Sequence, residues 1–198
     1  MNNGHGTPRV LAISGSLRTA SSNSALVQAL TTLAAEMAYV SVYRGLGELP
    51  PFNPDDDGDK PPLPVQEFRA ALQTCDAVVI SSPEYAHGVP GVLKNALDWI
   101  VGSGELIDKP VALINGSLHA THAHASLKET LTVMSARVVR QASITVSLAG
   151  GKRDAGAIIA DSELSAALQS AMAALTLAAR GILSAAPVMA PLSVAARS

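Results

Sequence analysis

Residues 13–30 read ISGSLRTASSNSALVQAL. They continue an apolar run, RVLAIS (9–14), and pass into apolar residues at helical spacing, so the segment predicts a strand that turns directly into a helix. The turn between them carries the hydroxyls of Ser14, Ser16, Thr19, Ser21 and Ser22, the amide of Asn23 and the planar charged fork of Arg18. All of these can donate to an anion, and the first N–H groups of the following helix point into the same space with the helix dipole behind them. Neither G-x-x-x-x-G-K-[ST] nor G-x-G-x-x-G occurs here, which favours one terminal phosphate over a bound pyrophosphate. The competing interpretation is that Ser22 or Asn23 merely caps the helix while the other hydroxyls face water.

Working outward, the same alternation recurs along the chain. Strands are expected at 9–14, 39–43, 76–82, 110–116 and 138–146, and helices at about 22–36, 64–74, 91–102, 122–135 and 162–183. Parallel strands need crossover connections, so this pattern predicts βαβ units and a parallel sheet covered on both faces. Two arrangements satisfy it, the flavodoxin-like order 2-1-3-4-5 and a truncated dinucleotide fold. In both, ligands bind beyond the carboxyl ends of the strands, which here carry SGSLR, SSPEYAHG and NGSLHATH.

The length of 198 residues suits one core, with one domain expected over 9–183, a flexible N-terminus at 1–8 and a poorly ordered or partner-packed tail at 184–198. Net charge is −2 and the 14 Lys and Arg residues are scattered, which leaves no electrostatic footprint for nucleic acid. Cys75 is the single cysteine, so an internal disulfide framework is excluded and a reducing compartment, the cytoplasm, is expected. No signal-peptide pattern and no membrane-length apolar run is present.

Residues 44–64, RGLGELPPFNPDDDGDKPPLP, form a long aperiodic connection, expected to pack in part through Leu49 and Phe52 while its acidic run stays solvated. In 81–100, SSPEYAHGVPGVLKNALDWI, a Pro-Glu-Tyr turn ends an apolar strand. Tyr85 can lie against a planar ring while Gly88 and Gly91 permit close backbone approach, or it can pack locally in a tight turn. His119, His122 and His124 lack a cysteine or a well-placed carboxylate and are expected to border the ligand mouth or cap a helix, with no metal bound. No G-x-S-x-G is present, and Glu84 and His87 are the candidates for moving protons.

GSLRTASSN, LPPFNPD (49–55) and SPEYAHGVPGVLKNALDW, in this order, resemble the NAD(P)H-dependent FMN reductases, which include chromate and quinone reductases, and the resemblance spans roughly 9–180. It implies a flavodoxin-like three-layer sandwich with a five-stranded parallel sheet in the order 2-1-3-4-5. It also implies one noncovalent FMN per subunit, NADPH or NADH as hydride donor, and a homodimer or homotetramer. Ser16, Arg18, Ser21, Ser22 and Asn23 would hold the FMN phosphate. Pro83, Glu84, Tyr85, Ala86, His87 and Gly88 would border the isoalloxazine, with Ser117 on the other side and Tyr85 and His87 positioning. Ala86 stands where the family usually has an asparagine, and GSLHATHAH replaces the family's usual Ser-Pro or second glycine cluster. The implied activity is hydride transfer from a nicotinamide nucleotide through FMN to a free flavin, quinone, azo compound or metal oxyanion such as chromate. A flavodoxin-like electron carrier and a flavin-free nucleotide-binding module are the alternatives.

Overall fold

In the computed structural model, which describes residues 6–18, 20–148 and 153–181, the chain begins with β1 (Arg9–Ser14) and passes through the serine-rich turn into α1 (Ser22–Leu33). Residues 1–5, Thr19, 149–152 and the whole of the expected tail, 184–198, lie outside the described residues. The elements that follow are β2 (Tyr39–Tyr43), α2 (Leu63–Gln73), β3 (Ala77–Ser81), α3 (Gly91–Val101), β4 (Pro110–Asn115) and α4 (Thr121–Val133). Two short strands, β5 (Arg137–Val138) and β6 (Ile144–Thr145), and two helices, α5 (Ala155–Ala160) and α6 (Ser162–Ala179), complete it. No helix among the described residues is long and apolar enough to cross a membrane.

Every strand pair is parallel, and the order is β2-β1-β3-β4-β5 with β6 also on β4. β1 lies between β2 and β3, in register Ala12↔Val42 and Ala12↔Val79. This is the flavodoxin-like order; a dinucleotide fold would put β3 beyond β2.

Alternation along the strands sorts the core into two layers. Val10, Ala12, Ala77, Val79 and Ala112 face α1 and α6, where small strand residues leave room for Leu26, Leu30, Leu168, Met172 and Leu175. Leu11, Ile13, Val78, Ile80, Val111 and Leu113 face the other way, onto Phe68, Leu93, Trp99 and Leu131 of α2, α3 and α4. Each large side chain buried this way contributes about 1.5–3 kcal/mol.

Three expectations need correction. The last strand is not continuous over 138–146, because a 3-10 turn at Arg140–Ala142 splits it. Ser143 fills the gap: its Oγ donates to the Val139 carbonyl (2.9 Å) and accepts the Leu113 N–H of β4 (3.1 Å), so a side chain replaces the ladder partner. A sixth helix, α5, appears where none was expected. Asp154 caps it through the Ala157 N–H, and Asp161 caps α6 through Glu163 and Leu164. The acidic run is not wholly solvated either, because Asp57 pairs with Arg69 at 2.6 Å and both are largely buried.

The 44–64 connection packs as expected through Leu49, and Phe52 lies edge-on to Trp99 at 5.1 Å. Asn95 and Trp99 of α3 clamp it. Asn95 Oδ1 accepts the Phe52 N–H (2.7 Å), and Asn95 Nδ2 and Trp99 Nε1 both donate to the Pro50 carbonyl (2.9 and 2.8 Å).

Candidate functional site

The carboxyl ends of β1, β3 and β4 converge on the N-terminus of α1. Ser21 is the N-cap residue of α1, yet neither its side chain nor that of Ser22 or Asn23 caps the helix. Asn23 is drawn away, its Oδ1 accepting from Ser81 Oγ of β3 at 2.9 Å. The first-turn N–H groups of a 12-residue helix are thus left uncapped by side chains and open to an anion. Ser14 Oγ meets Ser24 Oγ (3.0 Å) and accepts from Ser16 N–H (3.3 Å), while Ser16 Oγ accepts from Arg18 N–H (3.3 Å). Part of the hydroxyl set therefore shapes the loop, and Arg18 projects from it exposed.

Two glycines keep this convergence open. A Cβ at Gly15 would come within 2.8 Å of Ser82 Oγ, and one at Gly116 within 3.1 Å of Leu26 Cδ1. Between α1, β3 and β4 lies a cleft of about 380 Å³, lined by Ser22, Asn23, Ser82, Pro83, Glu84 and Ser117 among others. A second, larger cavity of about 580 Å³ lies on the β2 side of the same loop and is bordered by Ser16, Arg18 and Ser21. The expected phosphate residues thus divide between the two cavities, which share the loop as a wall.

Tyr85, Ala86, His87 and Gly88 line neither cavity. They form a two-residue hairpin turn closed by Tyr85 N–H to Gly88 O (3.1 Å) and Gly88 N–H to Tyr85 O (2.9 Å). Ala86 and His87 are both left-handed, with φ of +49° and +61°, the type I′ geometry that Asn-Gly fits best. Tyr85 stays 58% exposed, so it is free at the mouth and not packed away.

Glu84 holds this turn to α4. One carboxylate oxygen accepts the Ala123 N–H (2.8 Å) and the other meets His87 Nδ1 (3.0 Å). The Ala123 N–H, helped by His87 and His122, keeps the Glu84 carboxyl below its usual range, so it is ionised and serves as an anchor. His87 stacks edge-on against His122 at 4.3 Å. Ser117 and His119 line the cleft, whereas burial pushes the His124 imidazole down, toward the neutral form. Among the described residues no three His, Cys, Asp or Glu side chains are placed to hold a metal ion.

Asn115 is a site residue that the sequence pattern missed. It is buried at the end of β4, where Nδ2 donates to Ala120 O (2.9 Å) and Oδ1 accepts from Ser117 N–H (3.1 Å), shaping the loop that closes the cleft. The only signal was an amide ending an otherwise apolar strand.

A family model described as NADPH-dependent FMN reductase matches residues 8–151. The chain is 30% identical over 174 residues to an NAD(P)H-dependent FMN reductase of Pseudomonas aeruginosa, covering 85% of this chain and 94% of that protein. It is 32% identical over 131 residues to a quinone reductase of Pseudomonas putida, covering 63% and 70%. Among solved structures, a flavoenzyme NAD(P)H:(acceptor) oxidoreductase from Paracoccus denitrificans superposes with a TM-score of 0.71 at 28% identity, covering 88% of this chain and 98% of that one.

Proposed function

The chain belongs to the NADPH-dependent FMN reductase family and is an FMN-dependent NAD(P)H oxidoreductase; from that premise we propose which of its residues hold the cofactor and what it reduces. Bound FMN supplies the chemistry, taking a hydride from a nicotinamide nucleotide and passing two electrons on. The observation that carries the site assignment is the uncapped N-terminus of α1 opening beside Arg18. Its first-turn N–H groups, Ser21, Ser22 and the Arg18 guanidinium suit a phosphate dianion.

Pro83 and Glu84 on one wall of the cleft and Ser117 on the other fit the two borders of a flat ring, with backbone groups reaching its polar edge. Asn23 and Asn115 orient those walls through their bonds to Ser81 and Ala120. Tyr85 and His87 position the acceptor from the hairpin at the mouth. Because Tyr85 and Leu118, each a chain neighbour of a residue lining the cleft, expose apolar surface, the acceptor is assigned to the quinone class, with free flavin, azo compounds and chromate as slower substrates. Relatives named quinone reductases support that choice. A homodimer or homotetramer covering the apolar rim, in the cytoplasm, completes the proposal. The family membership sets aside the electron-carrier and flavin-free alternatives.

Arg18→Ala tests the phosphate site. Loss of a hydrogen bond between charged groups of about 1.5–3 kcal/mol weakens FMN binding roughly ten- to hundredfold. Fluorescence titration of apoprotein reads this directly, and wild-type affinity in the variant would refute the assignment.

A further inference from the structure

The larger cavity, on the β2 side of the loop, contains groups that FMN binding leaves unused. Arg44, directly after β2, and Arg153, just before α5, face it together with Arg18, and Asp154 is the one acid in its lining. The Asp154 carboxylate is turned to the Ala157 N–H (2.8 Å). Arg153 is fixed by Asp161 at 2.6 Å, and Arg44 Nη2 is steadied by Gln28 Oε1 at 3.3 Å. Among the described residues, Arg18 and Arg44 have no carboxylate partner. With Arg18 assigned to the FMN phosphate, the Arg44 charge is left uncompensated beside a cavity whose remaining walls include the apolar Leu46 and the ring of Tyr43.

The Tyr43 ring packs on Phe68 at 4.8 Å, and burial, with Glu48 and Glu67 nearby, pushes its hydroxyl up to about 12. That hydroxyl stays neutral throughout the working pH range. Arg44 together with apolar and aromatic lining, in about 580 Å³, matches a phosphorylated nucleoside: the base lies on the apolar lining and the phosphate takes the planar fork.

We propose that this cavity binds the adenosine 2′-phosphate of NADPH, with Arg44 as the residue that selects NADPH over NADH. The proposal rests on the FMN-reductase assignment, which requires a nicotinamide nucleotide at the neighbouring cleft. A ligand with its nicotinamide at the cleft mouth and its phosphorylated adenosine in the larger cavity spans the shared loop. In dinucleotide-binding α/β sheets an arginine likewise accommodates this phosphate.

Arg44→Glu, with Arg44→Gln as a milder second variant, tests it. The ratio of kcat/KM for NADPH to that for NADH falls about tenfold or more in Arg44→Glu and less in Arg44→Gln. By calorimetry, adenosine 2′,5′-bisphosphate binds the wild-type protein with or without FMN and binds Arg44→Glu about tenfold more weakly, while adenosine 5′-monophosphate responds little to the substitution. An unchanged nucleotide ratio, or no bisphosphate binding to the wild type, overturns the proposal. A fall in FMN affinity equal to the fall in NADPH use would hand the cavity to FMN and overturn it as well. Failure of the underlying assignment appears separately, as wild-type protein that takes up no FMN.

Discussion

Replacing Ala86 by asparagine should stabilise the protein. Ala86 and His87 occupy the two central positions of a type I′ turn at φ +49° and +61°, where a side chain with Cβ costs about 1–2 kcal/mol per residue. Asparagine tolerates the left-handed region better because its short amide bonds locally, so Ala86→Asn recovers part of that cost, about 0.5–1 kcal/mol. Ala86 is exposed and no side-chain partner is lost on substitution. Asparagine also keeps the unfolded chain as restricted as alanine does, unlike glycine. For a chain of this size that gain is a rise in Tm of about 1–4 °C. Calorimetry of the apoprotein measures it without interference from cofactor linkage. Adding His87→Gly completes the preferred Asn-Gly turn but removes the Glu84 contact, so the double variant should gain less than the sum of strain relief at both positions. A Tm for Ala86→Asn at or below wild type, in protein with an unchanged circular dichroism spectrum, would refute the claim that this turn is strained.

Asn95→Ala should loosen the 44–64 connection, since it removes the acceptor of the Phe52 N–H and one of two donors to the Pro50 carbonyl. The expected cost is about 1–2 kcal/mol, read as a lower urea midpoint at unchanged slope; an unshifted midpoint would mean Trp99 alone suffices. Glu84 sets an acid limit. Its carboxyl titrates below the ordinary 4.5 in the folded state, mainly through the Ala123 N–H, so its contribution is complete above that ordinary value and is lost as pH falls through the depressed one. Glu84→Gln should therefore lower Tm at neutral pH and converge on wild type in acid; parallel curves down to the lowest measurable pH would contradict the anchor role.

Much of the fold was legible because strand and helix periods leave different marks. β3 and β4 are buried along their whole length and read as apolar runs that turn polar only at their last residue, AVVIS and PVALIN, as strands of a doubly covered parallel sheet do. The last strand misled because VVRQASITV has the composition of a strand throughout, and nothing local reveals that Ser143 supplies a bond to Leu113 thirty residues away. The short α5 went unseen because its six residues are too few for a periodic signal; the aspartates seven apart that start α5 and α6 are its only trace.

At the site, residues of a single loop could be read together, and contacts made by topology could not. The Ser16–Asn23 turn announced itself by its hydroxyls, and the hairpin by its glycine and proline. That His122 should stack on His87, or Glu84 reach α4, depends on β3 and β4 lying side by side. Arg44 and Arg153 were invisible as a pair for the same reason. One follows β2 and the other precedes α5, over a hundred positions apart in the chain, and they border one cavity because α1 packs against both β2 and α5. The crossover that carries the chain from β1 through α1 to β2 therefore does two things at once. It aims the helix N-terminus at the cleft, and it brings the residue after β2 to the opposite side of the same loop, so a change in the 16–23 loop must be felt in both cavities, whereas a change at Arg44 is confined to one.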